Sequence, residues 1–396
     1  MRTMKRPRIV ISGAGIAGNA LCIALNRRGI IPTIIERADR PQPGGHTVDL
    51  RGSSQDILRE WGMLESVHAL AVPEERMVAI GRGGRRLWSM PAASGAIVAD
   101  LEVGREDLND VLRQAGDANS RFGEEIIRSS LTQSGVQIET SSGRTIDADL
   151  LVAAEGTHSA LRARMFPESS LAYLGGYMAF APVPFPPDFH GEMRVYTAPG
   201  GVMVAIRPGR AHGHAIVAIR APRVPQIERD TSAQRKFVVE HIGRAGISGD
   251  WHVPSILDAS QHDPGFHCDA LLKVSAPTWH RERTVLLGDA AWSGSPLTGR
   301  GTAMAIMGAE ALADAIARRP HDLDSACRDY ETRMRPLLRW SQRDASPRTL
   351  RAWAPASAGE ILLNTIFMRT LTRTPLRTLL TRPDGGNLPR PVHAAS

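Results

Sequence analysis

The sequence predicts an α/β fold in which a parallel-sheet domain is interrupted by a β-rich second domain and followed by a long C-terminal helix. Three observations predict it. Strand, glycine turn, helix and second strand follow one another between Arg8 and Glu36. After Phe166 the apolar residues recur with a period of two among clustered prolines. At Thr284 a strand, a glycine loop and a long helix restore the first pattern.

Size and composition leave room for this plan. The chain has 396 residues, 42% hydrophobic and 22% charged, so it can bury two moderate cores and is not a disordered chain. The formal net charge is +7. Only Lys5, Lys236 and Lys273 are lysines, so 45 of the 48 basic residues are arginine, and they are spread along the chain. A scattered pattern gives no nucleic-acid patch, and none is expected. Cys22, Cys268 and Cys327 are far apart and show no metal-ligand spacing, so no disulfide framework and no metal are expected. The basic start, Met1 to Pro7, leads into a glycine-rich strand and turn, not into the apolar core of a signal peptide, and no apolar run reaches 18 residues. A cytoplasmic protein without a membrane span is therefore expected, as a monomer or a homodimer.

The first unit consists of a strand from Arg8 to Ile11, the turn Ser12 to Gly18, a helix from Asn19 to Arg28 and a strand from Pro32 to Ile35 ending at Glu36. Gly13 permits the tight turn, Gly15 lets the backbone approach a pyrophosphate, and Gly18 lets helix and strand pack closely. The helix N-terminus then meets the phosphates, and Glu36 accepts hydrogen bonds from a ribose. This reads as a Rossmann-type dinucleotide site and does not yet separate NAD from FAD.

The chain continues with a loop from Arg40 to Gly52, where Gly44 and Gly45 allow close approach to a flat ligand and Asp49 and Arg51 bring opposite charges. A helix is expected from Ser54 to His68, with strands at Met77 to Leu87 and Ala96 to Leu101. Arg105 opens an acidic first helical turn, from which it can reach a phosphate or a ribityl group. The strand from Ala148 to Ala154 runs into Glu155 and Gly156, at the carboxyl end where open α/β sheets bind ligands. In the β-rich region, Gly201 to Arg207 and His214 to Arg220 form a hairpin about Pro208 and Gly209. The alternation puts Val202, Val204 and Ile206 on one face and Met203, Ala205 and Arg207 on the other. From Thr284 an apolar strand leads to Gly288 and Asp289, then Pro296, Gly299, Arg300 and Gly301, then a helix from Thr302 to Ala317. An aspartate at a strand end before a glycine loop suits the ribityl chain and ring of a flavin. The amides at the helix start then face negative charge on the ring. Further helices are expected at Ser325 to Arg339 and Ala356 to Thr381, the last kinked at Pro375 and packed against the two domains.

GAGIAG at 13–18, Glu36 and Arg37, VDLRG at 48–52, REDL at 105–108, Glu155 and Gly156, and GDAA at 288–291 with Pro296 and Gly299 to Ala303 occur in one order. Together they resemble the group A FAD-dependent aromatic monooxygenases of the p-hydroxybenzoate hydroxylase class, most of all the tetracycline and antibiotic-biosynthesis hydroxylase branch. The resemblance covers about the first 340 residues. It implies a glutathione-reductase-like FAD-binding domain built from residues 1–76, 102–165 and 275–340, substrate-domain segments at 77–101 and 166–274, and a helical extension at 341–396. It implies that Glu36 binds the adenosine ribose with Arg37 beside it, that Arg105 and Asp289 contact the FAD linker and ribityl chain, and that Pro296, Gly299, Arg300 and Gly301 border the isoalloxazine. Glu155 stands where the family usually has aspartate, at a position tied to FAD and reductant handling.

The implied reaction is a monooxygenation. NADPH or NADH reduces the FAD transiently, O2 adds at C4a, and the flavin hydroperoxide transfers one oxygen atom to an aromatic or polyketide-like small molecule. The alternative is a flavoenzyme of the same fold with other chemistry: an epoxidase, a Baeyer-Villiger enzyme, an oxidase or an FAD-scaffolded cyclase. The flavin-edge candidates are Pro296, Gly299, Gly301 and His46, with His46 as the candidate base. Arg51, Phe180, Met203, Arg220 and Trp292 are expected at the substrate, with Arg207 as a further cation.

Overall fold

Apolar runs bounded by glycine turns, alternating with amphipathic stretches, give four sheets and twelve α-helices among the described residues of the computed structural model, which are 6–41, 46–91 and 101–373. In chain order, β1 (Ile9–Ser12), α1 (Ile16–Asn26), β2 (Thr33–Glu36) and β3 (Thr47–Leu50) precede α2 (Ser53–Glu60) and α3 (Leu64–His68). Next come β4 (Arg76–Ile80), β5 (Arg86–Pro91), β6 (Leu101–Gly104), α4 (Arg105–Ala115), β7 (Asn119–Phe122), β8 (Ile126–Thr132), β9 (Gly135–Thr140), β10 (Thr145–Ala148), β11 (Leu150–Ala153) and α5 (Ala160–Met165). The middle of the chain carries β12 (Ser170–Val183), β13 (Glu192–Ala198), β14 (Val202–Arg207), β15 (Gly213–Arg220), α6 (Thr231–Arg244), α7 (Val253–His262) and β16 (His267–Ser275). The last part has β17 (His280–Arg281), β18 (Thr284–Leu286), α8 (Asp289–Trp292), α9 (Gly301–Arg318), α10 (Leu323–Ser341), α11 (Pro347–Trp353) and α12 (Ala358–Arg373).

The first sheet has the order β17-β18-β11-β1-β2-β7 and is parallel except for β17. Strands buried on both faces read as continuous apolar runs, which is why IVIS and LLVA were legible as strands. Helices α1 and α9 pack on each other and α4 joins α1, in one core with Ile11, Leu21, Leu25, Val152 and Leu312. The second sheet, β16-β12-β15-β14-β13-β4-β5, is antiparallel except for the β13–β4 pair. Strands from 76–91 and from 170–275 therefore share one sheet. The α/β class with a parallel-sheet domain, a β-rich part and C-terminal helices is as the sequence predicts.

Period-two alternation gives the second sheet two different faces. Val202, Val204 and Ile206 pack with Val238 and Ile256 under α6 and α7, while Met203 and Ala205 join Met178, Phe180 and Ile216 on the other face. Leu297, Leu350 and Trp353 close over that second face. A two-stranded ribbon, β3–β6, pairs Asp49 with Glu102.

Several boundaries differ from the sequence expectation. The helix expected over 54–68 is two helices, because the chain turns at Gly62 with φ +77°. The strand expected over 77–87 is β4 and the start of β5, separated by the glycine turn at 82–84. Helices α6, α7 and α11 lie where only strands or no element were expected. Asp230 caps α6 by accepting from Ser232 and Ala233 N–H, and Ser346 caps α11 through Thr349 N–H. Of the strand expected at 96–101, residues 96–100 lie outside the described residues, as do Gly44, Gly45 and positions 374–381 of the last helix. The described part of that helix rests on β5 and β13 of the second sheet.

Trp292 requires a correction. Expected at the substrate, it is 1% exposed, its ring lies 4.7 Å from that of Trp279, and Gly308 makes room for its edge. Core tryptophans are load on the fold, so Trp292→Ala should lower unfolding free energy by about 3–5 kcal/mol. Chemical denaturation checks this; a loss below about 1 kcal/mol with a changed KM would restore the substrate role.

Candidate active site

Parallel strands all end on the same edge, and there the sequence-predicted residues meet. The carboxyl end of β1 carries Gly13 and Gly15, that of β2 carries Glu36, that of β11 carries Glu155, and that of β18 leads to Gly288 and Asp289. Gly13 has φ +108°, and a Cβ there would lie 2.5 Å from the Ala154 carbonyl oxygen. A Cβ on Gly18 would overlap the Gly13 carbonyl. Around Gly15, by contrast, a Cβ would meet nothing within 4 Å. The first and third glycines are thus packing requirements and the second faces open space.

Helix α1 starts there with no side-chain cap and no acid in its first turn. Its N–H groups and the positive end of its dipole are left for an anion. Glu36 braces the turn: its carboxylate accepts from Ala14 N–H at 2.7 Å and from Ala38 N–H at 2.9 Å. Each oxygen keeps a lone pair for a ribose hydroxyl. Arg37, next to it, is exposed. Asn19, which sequence reasoning missed, donates to Ala14 O at 2.8 Å and to Asn109 on α4.

At the far end of this edge, Gly288 packs on Ala17 with φ +64°, and Asp289 follows. The Asp289 carboxylate has no hydrogen bond from any described residue. Burial pushes its carboxyl above the ordinary range, and Arg105 works in the opposite direction. A half-buried carboxylate facing an arginine and lacking donors among the described residues fits a polyol chain, whose hydroxyls would supply them. The loop 295–300 carries backbone strain at Ser295, φ +68°, and a left-handed turn that glycine accommodates at Gly299, φ +58°, before α9 begins at Gly301 with no acid in its first turn. The residues present therefore fit FAD: phosphates at α1, ribityl at Asp289, ring beside Pro296 to Gly301.

Other expected residues are placed differently. Glu155 is spent inside the protein, accepting from Ser12 Oγ at 2.6 Å, Ser159 Oγ at 2.7 Å and Leu161 N–H at 2.9 Å. Arg300 is 4% exposed and its guanidinium goes to the Trp340 carbonyl and Asp344, stacked 4.8 Å over the Trp340 ring. Its side chain anchors the loop to the end of α10 and is not free for a ligand. Arg51 pairs with Asp49 at 2.6 Å, and a Cβ on Gly299 would sit 2.6 Å from the same Asp49 oxygen. Arg220 lies at the end of β15 and pairs with Glu360 of α12, away from any substrate role. Met203 is wholly buried in the sheet face behind Leu297.

Arg207, also given as a cation for substrate, is buried with Glu74 at 3.0 Å and with Glu102. Burial opposes its charge, but Glu102, Glu74 and Asp49 together raise its pKa. The pair ties β14 to the β3–β6 ribbon. Sequence reasoning had no signal for Glu74 or Glu102, since neither belongs to a motif.

Phe180 does line a cavity of about 440 Å³, together with Arg105, Arg210, His212, His214 and His267. His46 stacks on Phe180 at 4.4 Å and His267 stacks on it at 4.9 Å. His46 Nδ1 is buried with no partner among the described residues. Burial, then His267 and nearby arginines, push its pKa well below the usual 6.5; burial and His212 bring His214 to about 4. Both rings are neutral at pH 7. Among the described residues no group of three or more His, Cys, Asp or Glu could hold a metal.

A family model described as an FAD binding domain matches residues 6–322. A flavin-dependent monooxygenase from an unknown prokaryotic organism is 29% identical over 342 residues, 85% of this chain and 87% of the relative. The FAD-dependent monooxygenase asL4 of Sarocladium schorii is 25% identical over 399 residues, 92% of each chain. Among solved structures, tetracycline destructase Tet(51) matches with a TM-score of 0.79 and 23% identity over 96% of this chain and 98% of its own. Klebsiella pneumoniae HpxO complexed with FAD and uric acid matches with 0.77 and 20% over 95% and 96%. Both of these are likenesses of fold.

Two expectations follow from the site. Gly15→Asp has room for its side chain but sets a carboxylate at the phosphate end of α1, so the protein should fold yet bind FAD about tenfold more weakly. Flavin content and far-ultraviolet circular dichroism check it together. His214, with its folded pKa lowered to about 4 from 6.5, favours the native state when neutral. Its contribution is complete above pH 6.5 and is lost as pH falls to 4, at up to about 1.4 kcal/mol per pH unit. Urea denaturation at pH 7 and 4.5 should show this loss shrinking in His214→Gln.

Proposed function

The chain belongs to the FAD binding domain family as an FAD-dependent monooxygenase, and we propose that it uses NADPH or NADH and O2 to insert one oxygen atom into a flat, polyketide-like aromatic substrate. The observation that carries the reading is the convergence of one edge of the parallel sheet with the Met and Phe face of the second sheet. The first supplies a phosphate-to-ring track from Gly15 to Gly301, and the second supplies an apolar wall beyond Leu297. The name of the tetracycline destructases, which share the fold, supports a polycyclic substrate.

In this reading residues 1–76, 102–165 and 275–340 hold FAD, and 77–101 with 166–274 hold substrate. The bare N-terminus of α1 binds the pyrophosphate, Glu36 the adenosine ribose, Arg105 and Asp289 the linker and ribityl hydroxyls. When bound, FAD supplies the redox chemistry that takes electrons from the nicotinamide and activates O2. The amide groups at Gly301, at the positive end of α9, would stabilise negative charge on the reduced ring. Pro296 and Gly299 would border that ring with little side-chain bulk. Met178 and Phe180 exclude water from the oxygen-transfer space. His46, with its lowered basicity, is neutral and does not store a proton for the reaction.

The test is purification followed by a screen of aromatic polyketides. The protein should be yellow and release FAD on denaturation. A substrate should accelerate NADPH oxidation, with one O2 consumed and one oxygen atom found in the product per turnover. Flavin that stays oxidised under NADPH with every bound substrate would sink the reading and leave a flavoprotein with non-redox chemistry.

A further inference from the structure

The loop 295–300 meets the rest of the molecule through Leu297, Arg300 and Gly299. Leu297 packs on the Met and Phe face of the second sheet. Arg300 is tied to the Trp340 carbonyl at 2.9 Å and to Asp344 at 2.7 Å, at the end of α10. At Gly299 the contact is with a charge. An Asp49 carboxylate oxygen stands 2.6 Å from where a Cβ on Gly299 would be, and Arg51, paired with that oxygen at 2.6 Å, lies 3.7 Å from the same point. Gly299 turns there with φ +58°, its N–H donating to the Pro296 carbonyl. Glycine lets this turn sit directly on a carboxylate.

Asp49 is an unfavourable choice for its own strand. In the β3–β6 ribbon it is directly opposite Glu102, and like charges in that register repel. Glu74 adds a third acid, while Arg207 and Arg51 are the two arginines that answer them. All five side chains are largely out of water, the most exposed being Arg51 at 12%. Arg207 already has Glu74 and Glu102, so its charge does not call for a further carboxylate at 49. The contact with Gly299 does.

We propose that Asp49 is a positioning residue for the flavin: it seats the Gly299 turn on the ribbon and sets a buried negative charge behind the loop, lowering the reduction potential of a ring bound there. The proposal rests on the reading that the ring lies beside residues 295–300. A carboxylate at this place disfavours the negative charge of the reduced ring. Arg51 offsets it only in part, because it stands farther from Gly299 than Asp49 does.

The test is a reductive titration of the bound flavin against a dye of known potential. Asp49→Asn leaves two acids and two arginines, so the variant should fold. It should raise the reduced-to-oxidised ratio at a given potential about tenfold, a shift of about 30 mV for two electrons. Pro296→Asp, at an exposed position of the loop, adds a carboxylate and should shift the potential downward. A double-mutant cycle on FAD affinity checks the contact itself: Gly299→Ala should weaken FAD binding at least about fivefold more in the unsubstituted chain than in an Asp49→Ser background. Should Asp49→Asn fail to fold, Asp49→Ser takes its place in the titration. If Pro296→Asp moves the potential while the Asp49 variant leaves it unchanged or lowers it, the ring is beside the loop and the proposal alone is overturned. Additive effects of Gly299→Ala and Asp49→Ser overturn it likewise. If neither substitution moves the potential, or the chain binds no FAD, the placement of the ring falls together with the proposal.

Discussion

Backbone-to-backbone contact at the start of α1 is the constraint on which the rest of the molecule depends. The Gly13 carbonyl occupies the space a side chain on residue 18 would need, and the Ala154 carbonyl does the same for residue 13. With both positions glycine, α1 sits down on β1 and β11, and its unpaired N–H groups end at the sheet edge. Anything bulkier would lift the helix, and the phosphate track would lose its charged end. Because β2, β11 and β18 run parallel to β1, their carboxyl ends necessarily share that edge. Glu36, Glu155 and Asp289 are gathered by topology, though about 250 residues separate the first from the last.

The second sheet has to be held at a fixed distance from this edge, and the means is a buried ion pair. Arg207 at the end of β14 lies between Glu74 and Glu102, and Asp49 on the neighbouring strand carries the network on to Arg51 and Gly299. Ion pairs out of water contribute little net stability, but losing one partner leaves a buried charge that costs about 3–5 kcal/mol. The network therefore acts on position more than on stability: any drift of the sheet exposes an uncompensated charge. It connects the second sheet to the loop at 295–300.

What was legible in the sequence follows from this division. The glycine turn and the positions of the acids were legible, since backbone geometry forces glycine at 13 and 18 and Glu36, Glu155 and Asp289 follow apolar strands at their carboxyl ends. Period-two alternation correctly separated Met203 from Val204. Side-chain roles at a distance were not legible. Trp292, Arg220 and Arg300 looked available for a ligand because each is large or charged near a motif, yet their partners, Trp279, Glu360 and Trp340 with Asp344, come from segments 13 to 140 residues away. Helices α6 and α7 were missed because their helix periodicity is faint, and the Asp230 cap of α6 and the proline in the first turn of α7 were the local signals that could have found them.

Glu155 shows how one methylene can move a residue from one task to another. Aspartate at the end of β11 would keep its carboxylate near the strand, open to the edge where the ligand track runs. Glutamate reaches farther, across the turn to Ser159 Oγ and Leu161 N–H, while its other oxygen takes the Ser12 hydroxyl. Three hydrogen bonds to one carboxylate satisfy most of its acceptor capacity. They brace the start of α5 against β1, and Arg162 extends the brace to Thr157 and Ala290 beside Asp289. The acid has become part of the support behind Asp289, and in the proposed reading it is Asp289, with Arg105 opposing it, that is left for the flavin chain on this side of the edge.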